Sequence, residues 1–352
     1  MFVALAVGLS LAAQRVELAP ARIRALEEAI EAERAHQGAV GLSVAVAAGG
    51  VLQWSAGFGS ADLENGVPAR AATVYRLGSI SKPFTAVAAM QLYEQGKLDL
   101  DVPVQKYVPA FPEKQWPITP RQLLCHQTGI RHYKPGEIDS TRHYTDLTEP
   151  LKIFSADPLL FEPGTKLSYT TYGYNLLGSV VEAASGMKFM DYLKANIFQP
   201  AGLTAIRDDN SNTIVPNRTR FYRRSPKGEI ENAGLADTSN KIPGGGLVST
   251  AEDLVKFALA LRRGALLQPK TVEMMFTPQK TRDGAETRYG LGWVTAPVGG
   301  PRSISHSGGQ QGCRTLLTMF PDRDVVVAVM ANSEHAKPTE FVLLIVKALA
   351  AQ

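Results

Sequence analysis

The chain has few cysteines: Cys125 and Cys313 are the only two in 352 residues. That excludes a disulfide framework and a cysteine metal cluster, and two free thiols leave the redox compartment open. Charge of one sign is also lacking, since 37 basic residues face 33 acidic ones for a net charge of +4. So small and scattered an excess excludes a nucleic acid partner. No apolar run is long enough to span a bilayer. The longest, Phe2 to Ala13, is interrupted by Gly8 and Ser10. It reads as the apolar part of an export signal, with Ser10 and Ala12 as small residues before a cleavage point, although no Lys or Arg precedes it. Residues 1–14 are therefore set apart as a possible signal segment, which would place the mature protein in the periplasm or outside the cell.

Other absences narrow the chemistry. There is no Gly-x-Ser-x-Gly, so the nucleophile elbow of an α/β-hydrolase is not expected. The spacing of His126, His132 and His143 matches no common metal-ligand pattern. Gly244-Gly245-Gly246 lacks the Lys-Ser/Thr ending of a phosphate loop and reads as a turn. Glu162, followed by Pro163-Gly164, reads as a turn residue rather than a base. No internal repeat and no low-complexity tract occurs.

What is present is an ordinary soluble composition, 45% hydrophobic and 20% charged, in a chain long enough for one large domain or two lobes. Ala21 to His36 reads as a surface helix with Ile23, Leu26 and Ile30 on its inner stripe. Val40–Ala47 and Val51–Ala56, separated by Gly49-Gly50, read as a β-hairpin. Gly57 to Ala72 reads as loop. From Leu98 to Gly244, short helical pieces alternate with Pro and Gly, including a capped start at Thr119-Pro120 and a helix from Gly173 to Ser185 that Gly186 ends. Ser249 to Asp253 opens another capped helix. Tyr289–Val294, Ser303–His306, Arg314–Phe320 and Val325–Met330 read as strands, and Phe341–Ala350 as a closing helix. The expected fold class is α+β: an antiparallel sheet flanked by N- and C-terminal helices, plus a mostly helical inserted lobe. Residues 15–97 and 245–352 form the first lobe and 98–244 the insert.

Three motifs carry chemistry. Ser79-Ile80-Ser81-Lys82 opens an apolar helix that runs to about Gly96. On a helix Lys82 lies one turn from Ser79, on the same face. A serine hydroxyl needs a nearby base, and a buried amine can serve if its pKa is lowered. Alone, the pattern also fits an N-cap serine followed by a solvated lysine. The apolar helix it opens argues for a buried amine. The second motif is Tyr169-Thr170-Thr171, on a turn before a helix. A phenol beside ammonium groups would have a lowered pKa and could relay protons, and Thr171 adds a hydroxyl. Tyr172 and Tyr174 read as packing. The third is His306-Ser307-Gly308-Gly309 at the end of a strand, where glycines allow close backbone approach and edge N–H groups can dock a substrate.

In this order the three motifs resemble the penicillin-binding-protein and class C β-lactamase-like serine hydrolases. Framing residues add to the likeness: Phe161-x-Pro163-Gly164, Leu176-Leu177-Gly178, Gly246-x-x-Ser249-Thr250-x-x-Asp253-Leu254 and Tyr289-Gly290-Leu291-Gly292-Trp293. Lys97 to Pro109 and Gly129-Ile130-Arg131-His132-Tyr133 look most like the serine β-lactamase-like branch that includes mitochondrial relatives. The resemblance spans about residues 22 to 347. It implies that Ser79 is acylated, that Lys82 is its base or stabilises that base, and that Tyr169 shuttles the proton. The N–H groups of Ser79 and Gly309 would form the oxyanion hole, with His306, Ser307, Gly308 and Thr171 binding substrate. Which of Lys82 and Tyr169 takes the first proton stays open. No cofactor and no metal is implied. The partner is a small-molecule or peptide substrate, with no nucleic acid and no stable membrane span, and the oligomeric state is open. Two departures stand out. Thr171 replaces the family's usual Asn, and His306 replaces its frequent Lys. With a reference pKa of about 6.5, His306 would be mostly neutral at pH 7. Both changes argue against an optimised β-lactamase and fit a peptidase or esterase. Arg288 and Arg314 are candidates for a replacement charge.

Overall fold

A computed structural model describes residues 18–350. The apolar segment Phe2–Ala13 lies outside the described residues. Six strands form the main sheet: β1 (Gly41–Ala48), β2 (Val51–Asp62), β3 (Val67–Pro68), β4 (Ile304–Gln310), β5 (Cys313–Phe320) and β6 (Val325–Ala331). Their order is β3-β2-β1-β6-β5-β4, and each neighbour is antiparallel. The two ends of the chain meet where β1 pairs with β6, with Ala45 opposite Ala328. Gly49 and Gly50, both in the left-handed region, close the β1–β2 hairpin.

Every residue of β1 and β6 is buried, so both faces of the sheet are covered. Side chains alternate across a strand. Val44, Val46 and Ala48 of β1 join Val325, Val327 and Val329 of β6 in one core. Helices α1 (Pro20–Gln37) and α6 (Pro338–Ala350) close it, with Leu26 and Ile30 from one and Phe341 and Ile345 from the other. Ala45, Ala47, Val326, Ala328 and Met330 face the opposite way. There they meet α5 (Ala251–Arg262), and α2 (Ser81–Glu94) and α4 (Thr171–Ser185) extend the same core, with Phe84 of α2 stacked on Phe257 of α5. This inner core runs without a break from the sheet through α2 to Leu177 and Leu193. The short helix α3 (Pro120–Leu124) is held by a capping box between Thr119 and Gln122. The mixed antiparallel sheet and helices match the expected fold class. Among the described residues no helix is long and apolar enough to cross a membrane.

The local expectations needed three corrections. Gly57 to Ala72 is loop only at residues 63–66 and 69–72, because β2 runs on to Asp62 and pairs with β3. Gly57 belongs there because a Cβ would meet the Arg70 backbone nitrogen at 2.3 Å. Glycine here marks a close backbone approach within a strand, not the strand's end. Conversely, Tyr289–Val294 is not a strand. Its ends meet in a single bridge around a turn at Gly292, whose φ is +88°. Finally, β4 does not stop before the glycines but continues through Gly308 and Gly309 to Gln310.

Candidate active site

Ser79 lies in a single 3-10 turn, Gly78–Ile80, that leads directly into α2. Gly78 has a φ of +52°, and a Cβ on it would stand 2.8 Å from the Gly309 nitrogen. Glycine is thus required twice over, for conformation and for space. The turn is pinned from several sides. The Leu77 N–H donates to Leu247 O at 2.8 Å. The Thr315 hydroxyl donates to Leu77 O at 2.9 Å. The Ser81 hydroxyl donates to Gly78 O at 2.9 Å. Gly308 allows β4 to lie against this turn, since its Cβ would meet Leu77 O at 2.0 Å. The segments carrying the Ser79 and Gly309 amides therefore run side by side.

Lys82 is fully buried. Its Nζ is 3.1 Å from Ser79 Oγ, 3.1 Å from Thr171 Oγ1 and 2.6 Å from Gly244 O. Burial, and secondarily the charge of Lys241, holds the amine well below its ordinary pKa of 10.5. As an ammonium, Nζ donates to all three oxygens. As a neutral amine it has two hydrogens and one lone pair, and that lone pair is then free to accept the Ser79 hydroxyl proton.

Tyr169 precedes α4 and joins the same cluster. Its ring centroid is 4.8 Å from Lys82 Nζ, and the Ser79 side chain is near enough to its phenol to influence its ionisation. The expectation of a lowered phenol pKa is overturned. Burial raises it, and the Ser79 side chain only partly opposes this. A phenol enclosed by other rings loses the solvation its anion would need. Tyr172 and Tyr174 are packing residues as expected, fully buried, with Tyr174 donating to Leu124 O at 2.8 Å.

The third motif divides its residues between two environments. Ser307 and Gly309 are exposed, whereas His306 and Gly308 are buried. His306 is 2% exposed, so it forms wall rather than groove surface. Its Nδ1 donates to Ser307 O at 2.7 Å, which leaves Nε2 to accept from the Tyr289 hydroxyl at 2.9 Å. Burial, then the charge of Lys82, pushes its pKa down to about 3. The ring is neutral at pH 7. Arg314 lies on β5 beside Gly309, where its guanidinium donates to Cys313 O at 2.8 Å, and both residues line a cavity of about 310 Å³. Among the described residues the Arg288 side chain forms no hydrogen bond or ion pair with the site.

Three groups escaped the sequence reading. Lys241 is 1% exposed and donates to Ile138 O at 2.7 Å. Burial, then the charge of Arg76, brings its pKa to about 8. It supplies a second positive charge near Lys82 from a segment that belongs to none of the three motifs. Gly244, read only as part of a turn, offers its carbonyl to Lys82. A Cβ there would stand 2.5 Å from Thr171 Cγ2. The third group is the histidine pair before α4, of which only His132, in Arg131-His132-Tyr133, reads from the sequence as lining the cleft mouth. His126 Nδ1 accepts from Thr170 N–H and His132 Nδ1 from Thr171 N–H, each at 3.2 Å. The third histidine of the apparent metal set, His143, is 2.8 Å from Asp237 instead. The signal for the pair was their placement after a capped helix, not any ligand spacing.

A half-buried serine beside a fully buried lysine at the head of an apolar helix, next to an edge strand, is the arrangement of penicillin-binding-protein-like folds. Residues 26–352 match the Beta-lactamase family, and the chain belongs to that family. It is 31% identical to the human "Serine beta-lactamase-like protein LACTB, mitochondrial", across 90% of this chain and 79% of that protein. It is 30% identical to "Penicillin-binding protein 4*" of Bacillus subtilis (strain 168), across 87% and 70%. Esterase EstB of Burkholderia gladioli is 27% identical, across 90% of each chain. Among solved structures, the octameric penicillin-binding protein homologue from Pyrococcus abyssi superposes with a TM-score of 0.80 at 26% identity, covering 94% of this chain and 78% of that one.

Proposed function

We propose that the chain is a serine hydrolase that forms an acyl-enzyme on Ser79 and cleaves amide, peptide or β-lactam bonds. One observation carries this reading: a buried amine, held well below its usual pKa, 3.1 Å from a serine hydroxyl at a helix start. In the proposed cycle, Ser79 Oγ attacks the carbonyl carbon as its proton passes to Lys82 Nζ. The oxyanion forms beside the Ser79 and Gly309 amides. The bond to the leaving group then breaks, and Tyr169 passes the proton to the departing nitrogen or oxygen, itself reprotonated from Lys82. Water attacks the ester by the same relay in reverse and frees Ser79. The contrast between a depressed amine and an elevated phenol supports Lys82 as the first acceptor and Tyr169 as a donor.

A second reading, carboxylesterase activity of the same site, is favoured by Thr171. Its hydroxyl is buried and engaged by Lys82, so it offers a substrate amide less than a free carboxamide would. The likeness to EstB supports the same alternative. In both readings residues 98–244 form one wall of the cleft and 15–97 with 245–352 the other. If residues 1–13 act as an export signal, the enzyme works in the periplasm or outside the cell, which N-terminal sequencing of the mature protein tests. Intact-mass measurement after exposure to a penicillin, an activated ester and a fluorophosphonate tests the enzyme reading. An increment confined to the Ser79 peptide is expected. No adduct with any of the three would favour a binding or assembly protein that keeps the fold.

A further inference from the structure

The residue that holds Tyr169 in place comes from neither its own turn nor α2. His126 grips the chain on both sides of the tyrosine. Its carbonyl accepts from Ser168 N–H at 2.8 Å, and its Nδ1 accepts from Thr170 N–H at 3.2 Å. Between these two bonds its ring lies against the Tyr169 ring, with centroids 4.2 Å apart. The imidazole is also packed by Tyr174 at 5.1 Å and Tyr289 at 4.7 Å. His126 is fully buried, yet its φ is +58°, a left-handed conformation uncommon outside glycine. Such a conformation persists only where the surroundings over-determine it. The ring is also electrically committed. Nδ1 accepts an N–H and so carries no proton, and Nε2 has no hydrogen-bond partner among the described residues. A protonated ring would set N–H against N–H at Thr170, so the imidazole stays neutral.

We infer that His126 is a positioning residue that fixes the reach of the Tyr169 phenol toward Ser79 by clasping Ser168 and Thr170. The inference rests on the acyl-enzyme reading above, in which Tyr169 delivers a proton to the leaving group. Loss of the clasp then harms reactions in proportion to how badly the leaving group needs that proton. p-Nitrophenolate departs unprotonated, whereas an alkoxide does not.

The test compares two esters of one acyl group, p-nitrophenyl and ethyl, in the wild type and in His126→Phe. The substitution keeps an aromatic ring beside Tyr169 but removes the acceptor for Thr170. The ratio of kcat/KM for the ethyl ester to that for the p-nitrophenyl ester should fall by about tenfold or more. A residue that merely supports the fold would lower both rates together. An unchanged ratio, with both rates intact or both reduced, overturns the proposal. Should His126→Phe not fold, His126→Gly carries the same measurement, because glycine tolerates a left-handed φ and offers no side-chain acceptor to Thr170. Failure of the underlying reading is seen separately and first, as the absence of any fluorophosphonate adduct on wild-type Ser79.

Discussion

The serine–lysine floor of the site and the β4 wall beside it handle nitrogen differently. At the floor, Lys82 is an amine enclosed by three oxygens, and it is depressed without losing its partners. In the wall, His306 is locked into one tautomer by Ser307 O and the Tyr289 hydroxyl and carries no charge near neutral pH. The positive charge that the third motif lacks is found at Lys241, buried on another segment. Motif order therefore marks where side chains converge but not which of them carries charge. A charge can come from any element that reaches the site.

The sharpest way to break this contrast is at the floor. Ser79→Ala should abolish labelling by fluorophosphonates. Lys82→Met should lower the acylation rate by about a thousandfold, the scale of removing a general base. Retained labelling in Ser79→Ala would refute the assignment of the nucleophile. Next comes the contact between wall and floor. Gly308→Ala would press a Cβ onto backbone at Leu77, 2.0 Å away, and onto the Thr315 hydroxyl, 2.2 Å away. Because the Ser79 turn must shift, activity should fall by about a hundredfold, with a stability loss of about 1–3 kcal/mol. A fully active variant would show that the turn and β4 move independently.

Lys241→Met tests the displaced charge. Lys82 acts when neutral, so the acylation rate should rise with pH through its pKa and then level off. Removing Lys241 relieves repulsion on the ammonium, raises that pKa and moves the rising limb to higher pH. The readout is the direction of that movement, and at any pH on the rising limb the variant should be slower than the wild type. A limb that does not move would assign the depression of Lys82 to burial alone. The smallest effect concerns the wall. His306 has a folded pKa of about 3 against an ordinary value of 6.5. The unfolded chain therefore binds more protons between these values, and stability is lost as pH falls from about 6.5 towards 3. His306→Gln should flatten part of that loss in an acid denaturation series, while an unchanged acid profile would mean His306 is not held neutral.

Much of this was legible because it rests on local pattern. The β1–β2 hairpin, the closing helix and the serine–lysine spacing each follow from a periodicity or a turn within a few residues. Glycine was ambiguous. Gly57, Gly308 and Gly309 looked like ends of strands, but they lie inside strands, and at Gly57 and Gly308 another backbone comes close. Lys241, Gly244 and His126 were not legible as site residues. Each acts on a residue far away in sequence, and nothing in its own neighbourhood encodes the partner. The raised phenol of Tyr169 was missed for the same reason. A nearby ammonium is visible in a motif, whereas the rings that exclude water are not.

The most direct test of the central claim, that Lys82 meets the Ser79 hydroxyl as a neutral amine, is the pH dependence of the second-order rate of Ser79 phosphonylation. The account predicts a rising limb centred well below 10.5 that disappears in Lys82→Met. A limb near the ordinary lysine value, or one that survives the substitution, would contradict it.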